Sequence, residues 1–266
     1  MNRLPQRLAE LRSAGRQAFI PFLTAGDPSL DATGELIDTV IRSGADVVEI
    51  GFPYSDPLAD GPIIQASYTR ALRGGCRLAQ IFAAAQRWTE RHPAVPFVAM
   101  AAFSVIYRRG PETFLKHLKT AGFAGLIVPD LPVEEAGTIL PTAEALDLCL
   151  IQLVTPTTPP ERARLLAEQS RGFLYVVSVT GITGARRELP AALLDQLRTL
   201  RGLTTLPLCV GFGVSSAEQV RLLRPHVDGV IVGSALVELL GADRPWPQTA
   251  AALAQRVLEL KAGLQG

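Results

Sequence analysis

Eight short apolar runs rich in β-branched residues recur along the chain, and a segment of helical character follows each one. They cover residues 18–23, 46–51, 97–103, 125–128, 149–154, 173–179, 208–211 and 229–232. Strands covered on both faces read as near-continuous apolar runs of this kind, and they belong to parallel sheets flanked by helices. Regular strand–helix alternation without a long linker predicts a closed (β/α)8 (TIM) barrel, an α/β fold. The 266 residues suit one such barrel, so a single domain spanning 1–266 is expected. A doubly wound open sheet is the alternative, and eight regular units in this length favour closure. Before the first run, Leu4, Leu8 and Leu11 recur at helical spacing and Gly15 follows, which predicts an extra N-terminal helix.

A barrel of this type carries its active site at the C-terminal ends of its strands. The second run, DVVEIGFPYSDPLADG (46–61), places an acid inside a strand. Glu49 shares a face with Val47, because alternate side chains of a strand point the same way. A carboxylate in an apolar place costs several kcal/mol unless it is paired, hydrogen-bonded or protonated. Asp60 follows in the Pro/Gly-rich loop after the strand, which makes Glu49 and Asp60 a plausible acid/base pair. The competing reading is structural: a strand Glu is often half of an ion pair, and loop aspartates commonly form turns. Asp56 fits that second reading best.

Three glycine-containing turns fall at consecutive strand ends: Gly181–Gly184, Gly211-Phe212-Gly213 and Gly233-Ser234. Glycine lets the backbone approach a phosphate, and a following helix N-terminus supplies oriented N–H groups. Thr183, Gly184, Gly213, Gly233 and Ser234 therefore outline a phosphate clamp. Phe22, Met100 and Phe212 would contact an apolar part of the same ligand. The loop 180–190 is long enough to close over it. Tyr175, in the sixth run, either fills the barrel or aims its hydroxyl at substrate. Asp130 ends the fourth run and is better read as a helix cap or a loop-orienting residue.

Other classes find little support. A formal charge of +1 leaves no electrostatic footprint for nucleic acid or an anionic membrane. No apolar run approaches the ~20 residues needed to span a bilayer. The N-terminal segment lacks the apolar core of a secretory signal. Cys76, Cys149 and Cys209 are far apart and odd in number, so a reduced, cytoplasmic setting is expected and no metal site. There is no dinucleotide fingerprint and no Walker sequence, so no cofactor is expected.

PFLTAGDP (21–28), VVEIGFPYSDPLADGPIIQ (47–65), VPDLPVEE (128–135), SVTGITGAR (178–186), VGFGVSS (210–216) and DGVIVGSALV (228–237) occur in this order. Together they closely resemble the tryptophan synthase alpha chain family, over roughly residues 15–245. The resemblance implies retro-aldol cleavage of indole-3-glycerol phosphate to indole and glyceraldehyde 3-phosphate. It implies Glu49 as general acid/base, Asp60 as the carboxylate that holds the indole N–H, and Tyr175 beside the substrate. It also implies a partner, the pyridoxal-phosphate-dependent tryptophan synthase beta chain, in an α2β2 tetramer. The loop 53–60 would be one contact surface.

The chain departs from the family pattern in two places. Met-x-Tyr-x-Asn-Pro is expected after the third strand, where this chain reads Met100-Ala101-Ala102-Phe103-Ser104-Val105. Val179 and Thr180 stand where the family has Arg and Ser. Retained chemistry with altered coupling to the beta chain is the expectation. The rival functions are a sugar-phosphate isomerase or epimerase, a regulatory subunit that mainly activates the beta chain, and a stand-alone lyase releasing free indole.

Overall fold

β-branched residues crowd their own backbone in a helix and pack well on a pleated surface. The apolar runs accordingly form strands. In the computed structural model, which describes residues 2–58, 60–178, 189–211, 213–242 and 245–265, these are β1 (Ala18–Thr24), β2 (Val48–Gly51), β3 (Phe97–Met100), β4 (Gly125–Ile127), β5 (Cys149–Ile151), β6 (Leu153–Val154), β7 (Leu174–Val177), β8 (Leu208–Gly211) and β9 (Gly229–Val232). All pairings among them are parallel. The order runs β5-β4-β3-β2-β1-β9-β8-β7-β6. β5 and β6 are two halves of the expected fifth strand, separated only by Gln152. The first half pairs with β4 and the second with β7, so one segment joins the two ends of the sheet into a barrel.

Alternation sorts the side chains into two cores. Ala18, Ile20, Phe22, Val47, Val98, Met100, Ile127, Ile151, Tyr175 and Ile231 belong to the barrel interior. The alternate residues, among them Phe19, Leu23, Val48, Ile50, Leu126 and Val230, pack outward against the helices. The helix Arg3–Ser13 adds Leu4, Leu8 and Leu11 to the interior cluster and so plugs the barrel at one end. Asn2 caps that helix by accepting from the Leu4 N–H, and its amide nitrogen donates to the carbonyls of Ala124 and Asp147 at 2.7 Å each.

Asp46 closes the same end. It is 1 % exposed. Arg7 meets its carboxylate at 2.7 Å, Lys261 at 3.6 Å and Arg16 at 3.8 Å, and the Phe19 N–H donates to it at 3.1 Å. This one carboxylate thus ties β1 and β2 to the first and last helices.

Three expectations need correction. The third strand does not run to Phe103. It ends at Met100, and Phe103–Arg109 form a helix. The cause is distant in sequence: Asp130 accepts the Phe103 N–H at 2.7 Å and caps that helix from the loop after β4. Asp130 therefore has a structural role, as expected, but exercises it on a helix that the sequence did not predict. The helix expected over 134–146 divides into a 3-10 segment, Val133–Thr138, and an α-helix, Leu140–Ala145, because Pro141 tolerates only a helix's first turn. The sixth expected strand is confined to Leu174–Val177 within the described residues, and Val179 and Thr180 lie outside them.

Candidate active site

The strand ends and the loops after them enclose a cavity of about 510 Å³. Of the side chains expected at the site, Phe22, Glu49, Asp60, Met100 and Tyr175 line it, together with Gly213, Gly233 and Ser234. Thr183, Gly184 and Phe212 lie outside the described residues. Two halves can be distinguished: β1, β2, β3 and β7 supply an acid and aromatic wall, and the turns after β8 and β9 supply the glycines.

Glu49 sits in register between Phe22 of β1 and Val98 of β3. It is 1 % exposed, and neither carboxylate oxygen has a hydrogen-bond partner among the described residues. Burial, reinforced by the nearby charge of Asp60, pushes its carboxyl up to about 8. A carboxyl so placed carries its proton near neutrality and is poised for acid/base work.

Asp60 is held from two sides. The Tyr54 hydroxyl donates to its Oδ2 at 3.3 Å, and the Gln65 amide donates to its backbone carbonyl at 2.7 Å. Burial raises its carboxyl above the usual range, the bond from Tyr54 acts in the opposite direction, and the charge of Asp130 adds to the rise. Tyr175 is buried, and its phenol is pushed well above its ordinary value by burial and by the charges of Glu49 and Asp60. It stays a hydroxyl at any working pH. Its oxygen lies over the end of β8: a Cβ added at Gly211 would come within 2.2 Å of it. Gly51 is constrained in the same way, since a Cβ there would meet the Phe22 ring at 2.4 Å. Glycines at these two strand ends make room for the two aromatic side chains that face the cavity.

On the opposite wall, Gly213 has φ +80°, a backbone region that favours glycine. Ser216 caps the next helix, Ala217–Leu223, and the Gln219 side chain returns to accept the Ser215 and Ser216 N–H groups. Gly233 opens the short helix Ser234–Val237. The first N–H groups of that helix have no acceptor within it.

The cavity also takes in residues that the sequence did not point to: Ile63 and Ile64, Val214 and Ser215, Ile231, Ala235, and the charged residues Glu238 and Arg256. Two of these had a readable signal. Ile64 shares a helix face with Tyr68 and Ala71, at i, i+4 and i+7. Arg256 falls on the stripe formed by Leu253, Val257 and Leu260 of the helix Trp246–Ala262, an apolar face on which an Arg is out of place. Its helix packs against the helices Ala217–Leu223 and Ser234–Val237, which follow the glycine turns. In the departing segment, Met100 lines the cavity, Ala102 is buried, and the helix that follows exposes Tyr107 to 70 %. Leu58, in the loop after β2, is 91 % exposed. No helix among the described residues is long and apolar enough to cross a membrane.

Comparison with known proteins agrees with this picture. A family model described as Tryptophan synthase alpha chain matches residues 8–265. The tryptophan synthase alpha chain of Rhodopirellula baltica is 48% identical over 239 residues, which cover 89% of this chain and 86% of that one. That of Gloeobacter violaceus is 46% identical over 244 residues, covering 91% and 88%. Among solved structures, tryptophan synthase from M. tuberculosis in an aminoacrylate-bound form superposes with a TM-score of 0.88 at 34% identity, with 100% of both chains covered. The tryptophan synthase A-subunit of Pyrococcus furiosus superposes at 0.85 and 36% identity, over 93% of this chain and 99% of that one.

Proposed function

Because the chain belongs to the tryptophan synthase alpha chain family, we infer how its cavity performs that family's reaction. The chain is a lyase that cleaves indole-3-glycerol phosphate to indole and glyceraldehyde 3-phosphate and supplies indole to a tryptophan synthase beta chain. The observation that carries the mechanism is the buried Glu49, without a hydrogen-bond partner among the described residues, facing the same cavity as Asp60.

The carbon–carbon bond at indole C3 breaks once C3 has gained a proton and the neighbouring glycerol hydroxyl has lost one. Glu49, protonated near neutrality, delivers the first proton, and the carboxylate so formed accepts the second. Protonation of C3 puts positive charge on the ring nitrogen. Asp60, as an anion, accepts the indole N–H and stabilises that charge. Tyr175 keeps its proton and serves as a donor beside Glu49. Phe22, Met100 and Ile64 offer an apolar bed for the indole. Gly213, Gly233 and Ser234 hold the phosphate by backbone and hydroxyl donors, and Arg256 adds a cation on that side. Thr183, Gly184 and Phe212 complete this reading from the sequence.

The exposed Leu58 and Tyr107 support docking of the beta chain over the cavity mouth, in the α2β2 tetramer that the family resemblance implies. One (β/α)8 domain carries the whole activity. The biosynthetic role and the absence of a disulfide among Cys76, Cys149 and Cys209 favour the cytoplasm.

The test is indole release from indole-3-glycerol phosphate by the purified chain, with and without the beta chain. Turnover that the partner accelerates is expected. No turnover under either condition overturns the reading in favour of a regulatory subunit. Fast turnover that the partner leaves unchanged marks a stand-alone lyase.

A further inference from the structure

Asp60 can offset positive charge on the indole nitrogen only as an anion, yet its surroundings work against ionisation. Asp130 approaches from the loop after β4, Glu49 from β2, Tyr175 from β7 and Tyr68 from the helix Pro62–Arg73. None of these groups is a cation. Among the described residues, Tyr54 is the one group beside Asp60 whose bond favours the anion, donating to Oδ2 at 3.3 Å.

The Tyr54 ring is itself placed. It packs on Tyr68, with centroids 5.6 Å apart and planes at 52°. Tyr68 is 1 % exposed, and its hydroxyl sits against the end of β2, where a Cβ on Gly51 would lie 2.8 Å away. A continuous set of contacts therefore runs from the strand that bears Glu49, through Tyr68 and Tyr54, to Asp60.

We propose that Tyr54 is a positioning residue of the lyase, which aims the Asp60 carboxylate and holds it as an anion, with Tyr68 as its platform. The proposal rests on Asp60 being the acceptor of the indole N–H. It assigns Tyr54 no contact with the reacting atoms. A hydrogen bond to a charged acceptor is stronger than one between neutral groups, so its loss is measurable.

Tyr54→Phe removes one oxygen from a half-buried loop residue and keeps the ring on Tyr68, so the fold survives. Two measurements test the variant: titration of the Asp60 side-chain carbon by NMR in the ligand-free protein, and kcat and KM for indole-3-glycerol phosphate across pH. The Asp60 midpoint is expected to rise by about one pH unit. KM is expected to rise about tenfold on the acidic side and to recover as pH increases, with kcat less affected. An unmoved midpoint overturns the proposal, whether activity is kept or falls evenly at all pH values. A midpoint that moves while the kinetics stay unchanged at every pH also overturns it, by removing Asp60 from the reaction and not Tyr54 from Asp60.

Discussion

Asp46 and Glu49 lie three residues apart in one short run, and each is 1 % exposed. Their surroundings could hardly differ more. Asp46 faces the plugged end of the barrel, with Arg7, Arg16 and Lys261 around its oxygens and a backbone N–H bonded to it. Glu49 faces the cavity and has no hydrogen-bond partner among the described residues. The same chemical group is thus a structural tie at one end of the strand and a reactive group at the other. A buried carboxylate with partners has its desolvation cost offset; one without them keeps its proton and remains available for chemistry. The division matches the fold, in which one barrel face serves stability and the C-terminal face serves activity.

The sharpest way to break this comparison is to change each residue alone. Glu49→Gln should lower the rate of indole release by about a thousandfold or more, within the range for losing a general acid/base, while circular dichroism and melting stay native. A surviving rate removes Glu49 from the chemistry. Asp46→Ala should do the reverse. It leaves Arg7 and Lys261 facing a buried gap, so urea unfolding should lose roughly 3–5 kcal/mol, with kcat per folded molecule unchanged. A native midpoint for that variant would show that the cations contribute nothing there.

A graded effect comes from the proton itself. The folded protein holds the Glu49 proton up to about pH 8, whereas the ordinary value is 4.5. Below 4.5 both states are protonated. Between 4.5 and about 8 the folded state binds the extra proton, so this residue's contribution to stability declines as pH rises and levels off above the window. The decline is on the order of 1.4 kcal/mol per pH unit where the difference is fullest. Glu49→Gln has no such proton, so its melting temperature should gain on that of the native chain from pH 4.5 to about 8. A constant difference across that range would contradict the raised value.

The least of the four effects probes the packing around the reactive end. Gly211→Ala drives a Cβ to within 2.2 Å of the Tyr175 hydroxyl. A cost of about 1–3 kcal/mol is expected, with a fall in kcat/KM, because the ring must swing into the cavity. Full activity would mean that Tyr175 can leave its place without consequence.

Much of the site was legible because strand alternation is strict: once Val47 faces inward, Glu49 must follow, and Phe22, Met100 and Tyr175 obey the same rule on their own strands. Glycines at strand ends were equally visible. The helix Phe103–Arg109 was not, since its cap comes from Asp130, across a turn of the barrel. Ile63 and Ser215 were passed over because residues on helices and turns reach the cavity only through packing angles that no local spacing encodes.

By itself, the sequence determined the eight strand–helix units, the inward face of each strand and the family to which the chain belongs, because periodicity and motif order are local properties of the chain. It singled out Glu49 but did not reveal what surrounds either acid of that run. The tertiary structure decided that Asp46 would be neutralised by Arg7 and by Lys261 from the far end of the chain, and that Glu49 would have no hydrogen-bond partner among the described residues, with Asp60 and Tyr175 around it. The physical reason is that the protonation and reactivity of a buried carboxyl depend on the charges and dipoles that surround it in space, and in a closed barrel those come from every part of the chain.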